Sequence, residues 1–407
     1  MVNMEMGEAL TVTLSECPDL SGLEAQWRSL ENESAPSFFT SWSWIGPWLR
    51  RLEPYRRPHL LRATCNQRVV GMGFFVPKRS FRLRLLPSRC LHLHATGEGN
   101  HDDICIEHNG LLVSQVGAAQ IEAAMLSFLC SPQHGWDQIH LPGLSVVPSL
   151  QDFPPQEMVM RQESDIAYFV DLSALRESGG NYVSQRSKNT RSQIKRCNKE
   201  YATLGPITLT AASDPQQAML FFDRLKEYHQ RAWTARGAPG AFANPLFESY
   251  HAQLIDRGFS CGEVQLLRIH AAEHDIGYLY NFVYRGRVMC YQSGFNYDLI
   301  QKNNHPGMAA HAQAIQYYSD SGLDVYDFLA GAARYKQQLA SNTYPVTSVS
   351  IHRNTISLRL EQEWRRVKKK LFAAPLPRTG EQEVPVKESG DRRDGLHLNF
   401  PPGIRTP

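Results

Sequence analysis

Hydrophobic and polar positions follow two periods along the first third of the chain, one typical of strands and one typical of helices. Helices are predicted at 20–30 and 115–129, and a dense aromatic segment, 38–48, is predicted to be a core helix. Short apolar or alternating runs predict strands at 9–14, 59–65, 69–76, 101–106 and 138–141. This mixture indicates an α/β protein.

A polar, proline-containing stretch at 148–155 suits a linker, and the pattern then starts again. Further strands are predicted at 166–172, 207–211, 263–269, 276–284, 287–295, 324–329 and 346–352. Further helices are predicted at 182–201, 214–234, 246–256, 307–318 and 335–340. We therefore expect two successive units, 9–150 and 160–355, and a tail, 359–407, that is basic at first and disordered from 375.

Composition argues against several classes of protein. Hydrophobic residues make up 42% and charged residues 20% of 407 residues, as in globular proteins, and a net charge of +3 is too small to indicate DNA binding. No apolar run approaches the roughly 20 residues of a membrane helix, and the N-terminus lacks the basic start of a secretory leader. Eight widely spaced cysteines favour reduced thiols in the cytoplasm.

The entry into the predicted helix at 307 is the first candidate site. A polar loop that enters a helix at Pro306-Gly307 exposes backbone amides, which together with the helix dipole can bind an anion such as phosphate. Asn303, Asn304 and His305 add donors beside it. The alternative is an ordinary helix start after a loop.

Several short runs around this helix resemble one known family. The runs are Tyr291–Phe295, Pro306-Gly307, Tyr326-Asp327-Phe328-Leu329-Ala330-Gly331 and Tyr335-Lys336. They resemble the acyltransferase domain of the CelD-type GNAT proteins, a group related to the FemAB aminoacyltransferases, and the resemblance covers about 20–355. The resemblance implies two tandem GNAT-like domains, each a mixed sheet with flanking helices.

The resemblance also implies an acyl donor, usually acetyl-CoA or another acyl-CoA, beside Asn303, Asn304, His305, Gly307 and Met308. However, Pro-Gly-Met-Ala-Ala replaces the basic, glycine-rich loop of ordinary GNAT proteins. An aminoacyl-tRNA donor, as FemAB proteins use, is therefore the alternative.

Amide formation from a thioester needs a base for the amine and a proton for the leaving thiolate. By the resemblance, Tyr335 is the acid that protonates the thiolate. Asp327 lies mid-strand between aromatic residues and is a candidate base, while Lys336 could pair with a phosphate or a carboxylate. His305 or His311 could be the base instead. The structural alternatives are an Asp327–Lys336 ion pair and a Tyr335 that only packs.

Two further groups could bind substrate. Lys188, Arg191 and Lys195 share one helix face, which suits an anionic nucleotide sugar, a polysaccharide precursor or tRNA, or is simply solvated. Trp233 and Arg236 are candidates for the border of a substrate cleft.

Metal-capable residue types occur between 92 and 108, at spacings that match no common zinc site, and we predict no metal. They are His92, His94, Glu98, His101, Asp102, Asp103, Glu107 and His108. The start of the tail, from Arg359 to Phe372, is basic and amphipathic, so it is either solvated or a peripheral contact with anionic lipid.

Together these features predict a cytoplasmic acyltransferase. It would move an acyl group, acetyl in the first instance, from acyl-CoA to an amine or hydroxyl of a small-molecule or saccharide acceptor, in envelope or exopolysaccharide biosynthesis. The alternatives are an aminoacyltransferase that uses charged tRNA and a non-catalytic binding scaffold on the same fold.

Overall fold

A computed structural model of the chain describes residues 10–83, 85–104, 106–148, 157–302 and 304–372. The expected disorder from 375 onward, and Asn303, lie outside the described residues. Within them, thirteen strands form one continuous sheet. The strands are β1 (Leu10–Glu16), β2 (His59–Cys65), β3 (Arg68–Arg82), β4 (Leu86–Leu93), β5 (Leu112–Val113), β6 (Gln138–Leu144), β7 (Met158–Asp171), β8 (Ile207–Ala211), β9 (Val264–Ala271), β10 (His274–Tyr284), β11 (Arg287–Phe295), β12 (Val325–Ala330) and β13 (Asn342–Arg353).

Helices flank this sheet. In the described part of the chain they are α1 (Leu20–Glu33), α2 (Trp42–Arg51), α3 (Gly99–Asp102), α4 (Ala118–Cys130), α5 (Leu172–Glu177), α6 (Lys188–Tyr201), α7 (Pro215–Thr234), α8 (Pro245–Gly258), α9 (Pro306–Asp320), α10 (Arg334–Leu339) and α11 (Ile356–Phe372). None of these helices is long and apolar enough to cross a membrane.

The strand order shows two similar halves that exchange a strand. The order is β1-β2-β3-β4-β6-β13-β7-β12-β11-β10-β9-β8, with β5 beside β3. β7 follows β6 in the chain but pairs with β12, while β13 follows β12 but pairs with β6. β7 and β13 also pair with each other, from Phe169 opposite Asn342 to Met158 opposite Arg353. The limits of the two expected domains, 9–150 and 160–355, stay a prediction.

Local sequence accounts for most elements. α7 starts where Asp214 caps the helix by accepting a hydrogen bond from the Gln217 amide at 2.8 Å, and Pro215 fits the first turn. Its buried residues Ala218, Phe221, Phe222 and Leu225 follow the helical period. The predicted helix over 182–201 begins only at Lys188, where the Ser187 side chain accepts from the Thr190 amide.

One predicted strand is wrong. Residues 101–106 were expected to be extended, but Gly99–Asp102 forms a short helical turn. The Asp102 carboxylate accepts hydrogen bonds from the amides of Thr96 and Gly97, both at 2.7 Å, and this closes the chain into a loop. Local hydrogen bonds from the backbone to the Asp102 side chain therefore override the weak alternating pattern.

The aromatic segment 38–48 forms part of a core that both halves share. Phe38 stacks on Phe282 at 4.2 Å between ring centroids, and the Tyr250 hydroxyl donates to the Trp44 carbonyl at 2.9 Å. These residues are buried, and the cluster that contains them spans α1, α2, α7, α8 and β10. The predicted core helix is confirmed from Trp42 onward, whereas Phe38–Thr40 forms a separate 3-10 turn, and the segment packs against the second half as well as the first.

Candidate active site

A gap opens in the sheet between β11 and β12. These strands pair in parallel only from Arg287 opposite Val325 to Met289 opposite Asp327, and then they part. The pairing of β12 with β7 shifts register between Asp327 and Ala330, and Leu329 has a φ of 62°, a left-handed conformation that is uncommon for leucine. The bend at Leu329 therefore lies where β12 leaves β11.

Lys336 holds this bend. Its side chain is 2% exposed, and its Nζ donates to the carbonyls of Leu329 at 3.3 Å and Ala330 at 2.6 Å. Burial lowers the pKa of Lys336, while the charge of Glu107 opposes that effect. The ammonium group thus contacts backbone oxygens, and the partner of Asp327 is a different cation.

Asp327 lies at the centre of a buried hydrogen-bonded cluster. Its Oδ2 accepts from Arg287 Nη1 at 2.6 Å and from the Tyr344 hydroxyl at 2.7 Å, and its Oδ1 accepts from the Leu329 amide at 2.8 Å. The Tyr344 hydroxyl is also 2.5 Å from Nε2 of His108. The structural alternative, an Asp327–Lys336 ion pair, is therefore wrong in its cation, which is Arg287. Both oxygens of the fully buried carboxylate are occupied.

Glu107 brings a second carboxylate to the bend from the first half of the chain. Its Oε2 accepts from the Ala330 amide at 2.7 Å. Burial raises the pKa of Glu107 to about 7, although the charge of Lys336 opposes the rise. A carboxylate with this pKa can take up and release a proton near neutral pH.

Tyr335 stands on α10, just beyond the bend. Its ring stacks on His311 at 5.3 Å and meets Phe328 edge-on at 6.0 Å. Burial raises the pKa of Tyr335, so its hydroxyl keeps its proton at neutral pH. Burial also lowers the pKa of His311 to about 3, and its Nδ1 is 2.9 Å from the Tyr326 hydroxyl. His311 is therefore neutral, with Nδ1 engaged and Nε2 buried without a hydrogen-bond partner among the described residues, and a base role for it stays a prediction.

The predicted donor loop uses several of its polar groups internally. The amides of Met308 and Ala309 donate to the His305 carbonyl at 3.0 and 3.3 Å. The Asn304 side chain accepts from the Tyr201 hydroxyl at 2.9 Å and donates to the Tyr297 carbonyl.

Gly307 is buried, and a Cβ placed on it would be 3.2 Å from the Phe295 ring. The side of Gly307 on which a side chain would stand therefore faces an aromatic ring. Donor binding by Asn303, Asn304, Gly307 and Met308, and a base role for His305, stay predictions.

The predicted substrate residues lie around the same loop. α6 packs on α9, and the Cys197 thiol donates to the His305 carbonyl at 3.3 Å. Lys188 and Lys195 are exposed on α6, whereas Arg191 donates to the carbonyls of Ser184 and Arg186 and so holds the helix start.

The second predicted substrate group is also near this loop. The Arg236 guanidinium lies 6.0 Å from the centroid of the Trp233 ring and 5.8 Å from that of Tyr297. Tyr297 in turn accepts from Asn304 through its carbonyl. The structure therefore brings Arg236 and Trp233 to the predicted donor loop.

A cleft of about 350 Å³ lies between the halves, beside the Asp327 cluster. His108 and Arg287 line it, together with Ser37, Arg285 and Glu122. Burial raises the pKa of Glu122 to about 7. Glu107 and His108 are consecutive, so one loop joins the bend in β12 to this cleft.

His92 and His94, the first two histidines of the metal-capable segment, have different partners. The His92 ring is 5.5 Å from that of His140, and Nδ1 of His94 is 2.8 Å from the Asn109 side chain. Burial lowers their pKa values, to about 3 for His92 and about 4 for His94. Among the described residues, no cluster of three or more metal-ligating side chains occurs.

Sequence reasoning found Asp327, Tyr335 and Lys336 but missed the groups that surround them. The sequence carries no local signal for Arg287 or Tyr344. It marks Glu107 and His108 only as metal-capable types. Their position directly after an apolar Ile104–Ile106 stretch was the one local signal that a charged pair would be drawn into the protein.

Comparisons with known proteins agree with the fold. Residues 188–337 match the acetyltransferase (GNAT) domain family. FemX has a similar structure, with a TM-score of 0.54 at 9% identity over 86% of this chain and 99% of FemX. No curated protein matches the chain in sequence.

Two further structures are more distant. The C-terminal domain of a putative lysylphosphatidylglycerol synthetase from Agrobacterium fabrum has a TM-score of 0.48 at 9% identity, over 86% of this chain and 97% of that one. A tandem GNAT protein from the clavulanic acid pathway has a TM-score of 0.42 at 11% identity, over 84% and 98%. At these TM-scores neither supports an argument. The chain has a GNAT acetyltransferase-like fold, and the predicted mixed α/β class is confirmed.

Proposed function

We propose that this protein is an acyltransferase that moves an acyl group from a thioester, acyl-CoA in the first instance, to an amine of a small-molecule or saccharide acceptor. The observation that carries the proposal is the bend at Leu329–Ala330. There the sheet opens, Glu107 binds the β12 backbone, and Tyr335 stands on the next helix. The GNAT match over 188–337 supports the reaction class.

The proposed reaction assigns one proton to each of two residues. Glu107 takes a proton from the acceptor ammonium, and the free amine attacks the thioester carbonyl carbon. A C–N bond forms and the C–S bond breaks. Tyr335 donates its hydroxyl proton to the departing thiolate, and both residues then return to their starting states through solvent.

In this scheme the general base is Glu107, in place of Asp327, which the sequence suggested. Asp327 accepts three hydrogen bonds and is 0% exposed, so an acceptor amine cannot reach either oxygen without displacing a partner. Glu107 accepts from the Ala330 amide through Oε2 and has a pKa of about 7. In the proposal Asp327 positions Arg287 and Tyr344, and Lys336 holds the bent backbone.

The acceptor is proposed to bind in the cleft between the halves. His108 and Arg287 belong both to the cleft lining and to the Asp327 cluster, so a ligand there lies next to the site. Glu122 supplies a carboxylate to the cleft, which favours an acceptor that carries an amino group. A saccharide amine, as in envelope or exopolysaccharide synthesis, is one acceptor of this class.

A second donor, aminoacyl-tRNA, is favoured by a specific observation. The amides of Met308 and Ala309 are already bound to the His305 carbonyl, whereas α6, packed beside this loop, presents exposed Lys188 and Lys195 to solvent. Exposed cations of this kind suit a nucleic-acid backbone. The similarity to FemX concerns the fold alone.

The two donors can be separated by ligand-induced stabilisation and turnover. The full chain is heated with acetyl-CoA, CoA or aminoacyl-tRNA, because a ligand present at 100 times its Kd stabilises the folded state by about 2.7 kcal/mol. We expect stabilisation by both CoA species and acetyl transfer to amine acceptors. The Glu107→Gln variant should keep the stabilisation and lose the transfer.

Two other outcomes would each favour a different function over acyl-CoA-dependent transfer. Stabilisation and transfer with aminoacyl-tRNA alone, weakened by Lys195→Glu, would establish the second donor. If no donor gave either stabilisation or acyl transfer, the remaining function would be that of a non-catalytic binding scaffold.

A further inference from the structure

The last described helix, α11, leaves a row of large apolar side chains in solvent. Ile356 is 77%, Leu360 53%, Trp364 58% and Val367 46% exposed. Their spacing of four, four and three residues places them on one helix face. We call these four residues the apolar stripe. An apolar face of this size on a helix usually has a partner.

The opposite side of α11 is fixed to the protein. Leu358 is 0% exposed, and Glu361 forms an ion pair with Arg82 on β3 at 3.3 Å. Arg359 donates to the Asn354 side chain at 3.0 Å. The orientation of the helix is therefore set by these contacts, and the apolar stripe faces away from the body of the protein.

The charge of the same segment is strongly positive. Between 359 and 370 the sequence has six basic residues and two acidic ones, and one of these acids, Glu361, is already paired with Arg82. The basic residues are Arg359, Arg365, Arg366, Lys368, Lys369 and Lys370. A tryptophan-containing apolar face within a basic helix is typical of segments that lie in the interface of an anionic membrane.

We infer that α11 docks this protein on the surface of an anionic phospholipid bilayer, with the apolar stripe inserted between headgroups and the basic residues on lipid phosphates. A second copy of the chain fits less well, because two basic helices would repel each other. The inference does not depend on the acyltransferase proposal, since no described side chain of α11 lines the gap or the cleft.

Vesicle co-sedimentation of the full chain tests this docking. Vesicles of phosphatidylcholine with about one third phosphatidylglycerol are compared with pure phosphatidylcholine at low and high salt. We expect binding to the anionic vesicles at least about tenfold stronger than to the neutral ones, and weaker at high salt. The double variant Leu360→Glu with Trp364→Glu should lose at least about tenfold in binding.

Leu220→Glu is the matched control, because Leu220 is 57% exposed on α7 and receives the same change. It should bind like the unmodified protein. Equal binding by the double variant, or no binding of the unmodified chain to anionic vesicles, would overturn the inference.

Two further measurements test the other occupants of the stripe. If sedimentation equilibrium shows a dimer that the double variant abolishes, the occupant is a second copy. If a chain ending at Phe372 binds vesicles and the full chain does not, residues 373–407 cover the stripe. Either result would overturn membrane docking.

Discussion

Replacing Glu107 with glutamine should make the protein more stable and less active. Burial raises the pKa of Glu107 from 4.5 to about 7. Since a tenfold change in a protonation equilibrium is worth about 1.4 kcal/mol, this displacement is worth roughly 3 kcal/mol at most. Glutamine carries no charge, and its side-chain oxygen can still accept from the Ala330 amide.

The direction of the pH effect on stability follows from which state of the chain, folded or unfolded, ionises first. Below pH 4.5 the carboxyl is protonated in both the folded and the unfolded chain, and its stability contribution is complete. As the pH rises from 4.5 to 7, the unfolded chain ionises before the folded one, so the free energy of unfolding falls. Glu107→Gln lacks this loss, and its advantage over the unmodified protein should reach roughly 3 kcal/mol by pH 8.

Urea unfolding between pH 4.5 and 8 measures this difference, and steady-state kinetics give the second readout. We expect kcat to fall by about 10²–10⁴ with little change in KM, as for loss of a general base. Glu122→Gln is the control, because the pKa of Glu122 is also raised to about 7 by burial. It should show a similar stability gain but change acceptor KM rather than kcat.

Two results would refute this reasoning. A stability difference that does not vary with pH would mean that Glu107 is not a buried, titrating carboxyl. A kcat near that of the unmodified protein would mean that it is not the base, whatever its effect on stability.

Three further changes test other parts of the site. Tyr335→Phe removes one hydroxyl, and with a thioester donor kcat should fall by about 10²–10⁴; unchanged kcat would reduce Tyr335 to ring packing. Asp327→Asn leaves Arg287 without its counter-charge, so urea unfolding should show a loss of roughly 3 kcal/mol, whereas an unchanged midpoint would exclude a structural ion pair. Lys188→Glu with Lys195→Glu should weaken binding of an anionic substrate and flatten its salt dependence; an identical salt profile would mean that this helix face is only solvated.

Local pattern predicted most elements because most depend on neighbours in sequence. The predicted strands at 276–284 and 287–295 are confirmed as β10 and β11, and the turn between them has positive φ at both Arg285 and Gly286, as a tight hairpin requires. The exchange of β7 and β13 could not be predicted in this way. It depends on pairing between residues far apart in the chain, such as Met158 and Arg353.

The candidate site likewise combines residues that local sequence identifies with residues that it does not. The residues in the run from Asp327 to Lys336 carry a local signature, so they could be found from sequence. The contact between Glu107 and Ala330 joins residues 223 positions apart, and that between Tyr344 and His108 joins residues 236 apart. No local spacing encodes such contacts, because they arise only when the two halves share one sheet.

The strand exchange limits how this protein can move. Many two-lobed enzymes admit substrate by swinging their lobes about a hinge. Here β7 and β13 cross between the halves and hydrogen-bond to each other along their length, so a hinge motion would have to break that ladder. We therefore expect any motion on ligand binding to be confined to loops, and the loop that carries Glu107 and His108 is the one that connects the cleft with the candidate site. A cut in the segment between β6 and β7 should accordingly leave one undissociated particle.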